Sequence, residues 1–142
     1  MPAFTGRITD LRGRGPVLQA NIAVAAAAEK ALTDAGQPIP APVQVTALID
    51  TGATGSAISK GIAQRLGLQP VGVIPVSTPS SANVPMSLYA IRFLLPNTLV
   101  FETTAIEAEL QDQGIGALIG RDVLSQAVLV YIGYANEFTL AM

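Results

Sequence analysis

Apolar positions fall along this chain in short runs separated by Gly, Pro and polar clusters, the spacing of a protein built mainly from strands. Val17 to Ala25 places Val17, Ile22 and Val24 in an extended pattern and predicts a strand. The Ala-rich run from Ala26 to Ala35, with Glu29, Lys30 and Leu32, suits a short helix that Gly36 ends. Pro38, Pro40 and Pro42 then keep the chain out of any central strand. Val43 to Ile49 alternates β-branched and small residues before closing on Leu48-Ile49, a buried-strand signature that runs directly into Asp50-Thr51-Gly52.

After a Gly- and Ser-containing loop, Lys60 to Leu66 reads as a short helix stopped at Gly67. Residues 71–78 and 86–95 have strand patterns and flank Pro79-Ser80-Ser81-Ala82-Asn83-Val84-Pro85, which predicts a hairpin with an exposed, mobile tip. Leu99 to Glu109 alternates as another strand. Gly114-Ile115-Gly116 marks a turn before Ala117-Leu118-Ile119, Gly120 to Gln126 opens a short helix, and Val128 to Tyr131 with Glu137 to Leu140 forms a last hairpin around Gly133. Many short strands, a few short helices and no βαβ rhythm predict a mainly β domain. Residues 1–16, where Arg7, Arg12 and Arg14 sit among Gly13, Gly15 and Pro16, are read as a flexible leader, and residues 17–142 as one domain.

Composition narrows what such a domain does. Half of the 142 residues are apolar and only 13% are charged, so part of the apolar surface is expected to lie against another chain. A net charge of −2 with eight basic residues leaves no electrostatic footprint for nucleic acid. The absence of Cys excludes disulfides and thiolate chemistry and permits a cytoplasmic location. The absence of His removes the Ser-His and Cys-His nucleophile systems and the commonest metal ligand, so acid-base chemistry falls to carboxylates, Lys or Tyr. Ala20 to Ala28 is interrupted by Asn21, followed by Glu29 and Lys30, and far short of the ~20 residues that span a bilayer; it also lacks a signal-peptide cleavage pattern. No membrane, metal or cofactor is expected.

Asp50-Thr51-Gly52-Ala53 is the segment that carries chemistry. A carboxylate at the end of an apolar strand is expensive to leave unpaired in a dry setting. Taken alone, the motif also fits a plain strand-to-loop turn, since Asp-x-Gly is common in turns. Its likeness to the phosphate-binding turn of actin-like ATPases fails on length, because those folds need two lobes. Gly114, Gly116 and Gly120 miss the dinucleotide-binding spacing by one residue and open no βαβ unit.

A second segment, Ala117-Leu118-Ile119-Gly120-Arg121-Asp122-Val123-Leu124, decides between these readings. The two apolar residues, Gly, Arg and a short helix near the C-terminus, together with Asp50-Thr51-Gly52-Ala53 and a hairpin between them, resemble the retropepsin family of aspartic peptidases. The likeness runs over roughly residues 17–140 and is to the small, bacterial-type members found outside viruses. It implies a closed β-barrel half-domain of the acid protease type, with short helices including one near the C-terminus. It also implies that Asp50 is the catalytic carboxylate, that Thr51 holds two loops together across a dyad, and that Gly52 and Ala53 complete the active-site loop. Ser77, Thr78, Pro79, Ser80, Ser81, Ala82 and Asn83 would form the substrate flap, and Gly120 and Arg121 the structural closure.

Two carboxylates sharing one proton supply both the base for water and the acid for the carbonyl oxygen in peptide hydrolysis. Asp-Thr-Gly occurs once, and Asp10, Asp34, Asp112, Asp122 and the Glu residues stand in no matching strand-end context. A symmetric homodimer acting on a polypeptide substrate, with Asp50 beside its own copy, is therefore the expected enzyme. The alternative is a catalytically idle domain of the same fold that binds peptide or holds a dimer together. Two departures from the retroviral pattern stand out. Thr54 and Gly55 replace an Asp-Asp pair, which leaves Arg121 without its expected carboxylate and Asp122 as a helix-start residue. The flap tip also lacks a glycine run.

Overall fold

The computed structural model describes residues 1–77 and 79–142. In chain order the elements are β1 (Ala3–Arg7), α1 (Leu11–Arg14), β2 (Val17–Val24), α2 (Ala26–Asp34), β3 (Val43–Ile49), β4 (Ser56–Ser59), α3 (Ile62–Arg65), β5 (Gly72–Val76) and β6 (Val84–Leu95). They continue with β7 (Leu99–Ala108), β8 (Ala117–Ile119), α4 (Arg121–Leu124), β9 (Val128–Ile132) and β10 (Glu137–Ala141).

Ile22, Phe93 and Phe101 stand opposite one another across β2, β6 and β7, and all three are buried. That row is one rib of a closed barrel. Neighbouring strands run β2-β3-β8-β4-β7-β6, and β6 returns to β2 through Asn21 to Val24. Closure removes the exposed edges of a six-membered sheet and leaves β5 as an extension beyond β6. Two of the pairings are parallel, β3 with β8 and β4 with β7. The first matters most for function, because Ile49 and Ile119 end side by side and deliver the next residues of both segments to one place.

The mainly β architecture and most element positions match the sequence reading, and three features differ. Ser56 to Ser59, read as part of a loop, is a strand buried at every residue between β7 and β8. Its small residues and single Ile58 leave no alternation to read, because both faces are covered. Val84 and Pro85, expected in the turn, belong to β6, where Pro85 sits opposite Pro75. Residues 1–16, expected as a flexible leader, are instead part of the fold. β1 pairs with β10 along its length, Phe4 meets Phe138 edge-on at 6.0 Å, and Leu11 is fully buried. Phe4, Ile8 and Leu11 supply the apolar anchors that the arginines around them obscured, while Arg12 and Arg14 remain exposed as expected.

β1, β10 and β9 form a separate three-stranded sheet in which β9 has a neighbour on one side only. α2 is an appendage of a different kind. It has no fully buried residue and no side-chain cap of its own. Polar contacts hold it to the barrel: Glu102 of β7 accepts from the Ala26 N–H, and Arg92 of β6 pairs with Glu29. No helix among the described residues is long and apolar enough to cross a membrane.

Truncating the barrel rib at Phe93→Ala should cost about 3–5 kcal/mol of unfolding free energy, since transfer and cavity terms add in a closed core. Tyr134→Ala, at a side chain 97% exposed, should change it by less than about 0.5 kcal/mol. Urea unfolding of both variants checks the contrast.

Candidate active site

The Asp50 N–H donates to the carbonyl of Ile119 at 2.9 Å, which extends the β3–β8 ladder by one bond and fixes where the loop begins. Beyond it the chain turns tightly: the Ala53 N–H returns to the Asp50 carbonyl at 3.2 Å, and the Gly52 N–H donates to Asp50 Oδ1 at 2.9 Å. The half-buried carboxylate is thus oriented by its own loop, while Thr51 and Gly52 are exposed beside it.

Segment 120–122 holds this loop from behind. The Arg121 N–H donates to the Ala53 carbonyl at 2.9 Å. Its guanidinium donates through Nη1 to the Thr51 carbonyl at 2.7 Å and through Nη2 to Thr54 Oγ1 at 3.1 Å. This answers the departure noted in the sequence. Without a carboxylate at positions 54 and 55, Arg121 is satisfied by a main-chain oxygen and a hydroxyl. Gly120 is required by proximity: a Cβ there would lie 2.6 Å from the carbonyl carbon and oxygen of Gly55.

Asp122 does more than start a helix. Its Oδ1 accepts from Ser56 Oγ at 2.8 Å and its Oδ2 from Thr103 Oγ1 at 2.5 Å, while Ser56 Oγ accepts from the Gly120 N–H at 3.0 Å. Sequence reasoning missed Ser56, Thr103 and this use of Asp122. Ser56 lies in the strand that looked like a loop, and nothing near Thr103 in the chain marks it as Asp122's partner.

The structure therefore gathers Asp50, Thr51, Gly52, Ala53, Gly120 and Arg121 into one cluster. Ser77, Pro79, Ser80, Ser81, Ala82 and Asn83 lie at the exposed tip of the β5–β6 hairpin, and Thr78 lies outside the described residues. None of the hydrogen bonds around Asp50 described above comes from that tip. Cavities of about 340, 380 and 400 Å³ lie elsewhere: beside Lys60 and Tyr89, beside Val43 and Ile115, and between α2 and Leu66 to Val71. Asp50 lines none of these three, and its loop meets open surface. No cluster of three or more potential metal ligands occurs among the described residues.

The family model described as "gag-polyprotein putative aspartyl protease" matches residues 41–126, the span from β3 through α4. The chain belongs to this retropepsin-like family of aspartyl proteases. Among solved structures, a retropepsin-like aspartic protease from Rickettsia conorii aligns with 16% identity and a TM-score of 0.49, covering 99% of this chain and 94% of that one. No curated protein matches significantly. Within the matched span lie both the Asp-Thr-Gly turn and the Gly120-Arg121 support, whose mutual contacts give this aspartyl-protease domain its loop geometry.

Gly120→Ala is expected to force the Gly55 peptide away and loosen the loop. Amide exchange at residues 53–56 should accelerate at least tenfold, with a lower melting temperature, while the β1–β10 amides keep their protection. Exchange followed by mass spectrometry or NMR checks it.

Proposed function

We propose that the chain is an aspartic endopeptidase that becomes complete as a homodimer, with the two copies of Asp50 facing each other on a two-fold axis. The observation that carries this reading is the Asp50 loop. It is a single carboxylate at the end of a paired parallel strand couple, oriented by Gly52, braced by Arg121, and left on an open surface.

One carboxylate does half of the chemistry. Hydrolysis needs a base to draw a proton from water and an acid to protonate the carbonyl oxygen; two carboxylates within ~3 Å hold one proton between them and serve as both. In the dimer one Asp50 accepts the proton of the attacking water, the other donates to the carbonyl oxygen, and both states are restored on collapse to acid and amine. Thr51, exposed beside Asp50, would join the two loops, and the β5–β6 hairpin with its tip at Pro79 to Asn83 would close over an extended polypeptide. The apolar surface fits an assembly. Val128, Val130 and Tyr131 on the open strand β9 are 52%, 44% and 50% exposed, and an uncharged edge strand of this kind tends to be covered by another chain. Action in the cytoplasm is part of the proposal.

Cleavage of a denatured protein at mildly acid pH, blocked by a statine-type transition-state mimic, is the expected activity. Asp50→Asn keeps the shape and removes the shared proton, so cleavage should fall by about 10²–10⁴-fold while fold and dimer persist. Mixing wild-type and Asp50→Asn chains should lower activity beyond dilution, because each mixed dimer holds one carboxylate. Near-normal cleavage by the variant, or full activity of mixed dimers, would refute the shared pair. A wild-type dimer that binds peptide and never cuts it would make the chain an idle binding module.

A further inference from the structure

Behind the Asp50 loop stands a carboxylate to which the mechanism above gives no task. Asp122 is the second residue of α4, and its two oxygens take protons from two hydroxyls on two strands, Ser56 at the start of β4 and Thr103 in β7. Each proton in this network has one possible direction. The Gly120 N–H can only donate, so Ser56 Oγ accepts there and sends its own proton to Asp122 Oδ1, while Thr103 Oγ1 donates to Oδ2. Ser56 is 2% exposed, and a buried hydroxyl with both its accepting and donating roles filled has little freedom to rotate.

The connections give this network leverage. Ser56 is the first residue after the loop that begins at Asp50. Arg121, one residue before Asp122, grips the same loop at Thr51 and Thr54. Consecutive side chains of one short helix therefore hold the loop near its start and at its end. Thr103 sits opposite Ile91 of β6, the strand whose first half pairs with β5 to form the hairpin. A charge effect on α4 does not account for this arrangement, because the helix has four residues and its carboxylate is occupied by side chains of other strands.

We propose that Asp122 is a positioning residue: through Ser56 it sets where the Asp50 loop sits, and through Thr103 it keeps that loop in register with the strand pair that carries the hairpin. Its effect on catalysis rests on the peptidase reading above; its effect on the loop does not.

The test uses the full chain with Asp122→Ala, Asp122→Asn, Ser56→Ala and the Asp122→Ala/Ser56→Ala pair. It follows cleavage of fluorescein-labelled denatured casein, sedimentation and amide exchange. Asp122→Ala should lower kcat about 10–100-fold with KM within about twofold, because a small displacement of a reacting group acts on the chemical step. Asp122→Asn should recover most of kcat, since its amide accepts from one hydroxyl and donates to the other. The Ser56 and Asp122 effects should fall short of multiplying, as for two members of one network. Amides of Gly120 and residues 53–56 should exchange at least tenfold faster in Asp122→Ala, with β9–β10 unchanged. Wild-type kcat and loop protection in Asp122→Ala would overturn the proposal. So would a loss of protection spread evenly over the barrel with kcat per folded molecule intact, the pattern of a merely stabilising residue. If Asp122→Ala does not fold, Ser56→Ala carries the same kinetic and exchange comparison. If the wild type cleaves nothing, the peptidase reading fails by itself, and selective loosening of residues 53–56 still decides whether Asp122 positions the loop.

Discussion

The close approach of two backbones, Gly120 against Gly55, is the constraint on which the rest of this site depends. β3 and β8 run parallel and end together at Ile49 and Ile119, so the chain leaving each strand must turn away within the same small volume. One of them turns outward as the Asp50 loop. The other turns under it as α4, and only a residue without a Cβ fits where they cross. Because the segments touch, the donors of α4 reach the loop's carbonyls and hydroxyls directly. The loop is fixed by hydrogen bonds and not by buried apolar side chains of its own, which leaves Thr51 and Gly52 exposed. Such bonds are directional, so they set the orientation of a carboxylate more sharply than apolar packing does.

Much of this was legible in the chain. Val43 to Ile49 ends on the motif it presents, and Ala117 to Ile119 ends on Gly120, so two apolar runs with chemistry at their ends marked both halves of the site. The mainly β class followed from short alternating runs and their punctuation. What stayed hidden was whatever depends on contacts distant in sequence. β4 has no amphipathic pattern because it is covered on both faces, so Ser56 to Ser59 looked like loop. Thr103 is an unremarkable residue of an alternating strand until α4 folds against it. The first residues were misread for the opposite reason. Their arginines and glycines dominate the composition, while Phe4, Ile8 and Leu11, spaced among them, do the packing.

The departures from the retroviral pattern also make sense together. With no acidic residue in the loop after Ala53, the exposed Arg121 keeps its donors occupied on Thr54 and the Thr51 carbonyl. A second carboxylate in this part of the fold, that of Asp122, lies beneath the loop, where the hydroxyls of Ser56 and Thr103 donate to it. Support and exposure are thereby separated: the surface carries the single carboxylate of Asp50, and the neighbouring carboxylate is turned inward.

The appendage α2 leads somewhere different. Because Ile22 and Val43 already face each other across β2 and β3, the two strands need no help from the helix and proline segment that joins them. No side chain of α2 is fully buried, and its ties are a borrowed carboxylate cap, one ion pair and the partly buried Ala28 against the core. Loop-closure entropy falls only slowly as a connection shortens. This connection is accordingly the place where the barrel accepts replacement, by a tight turn or by an inserted reporter domain, with the Asp50 end of the same hairpin left as it is.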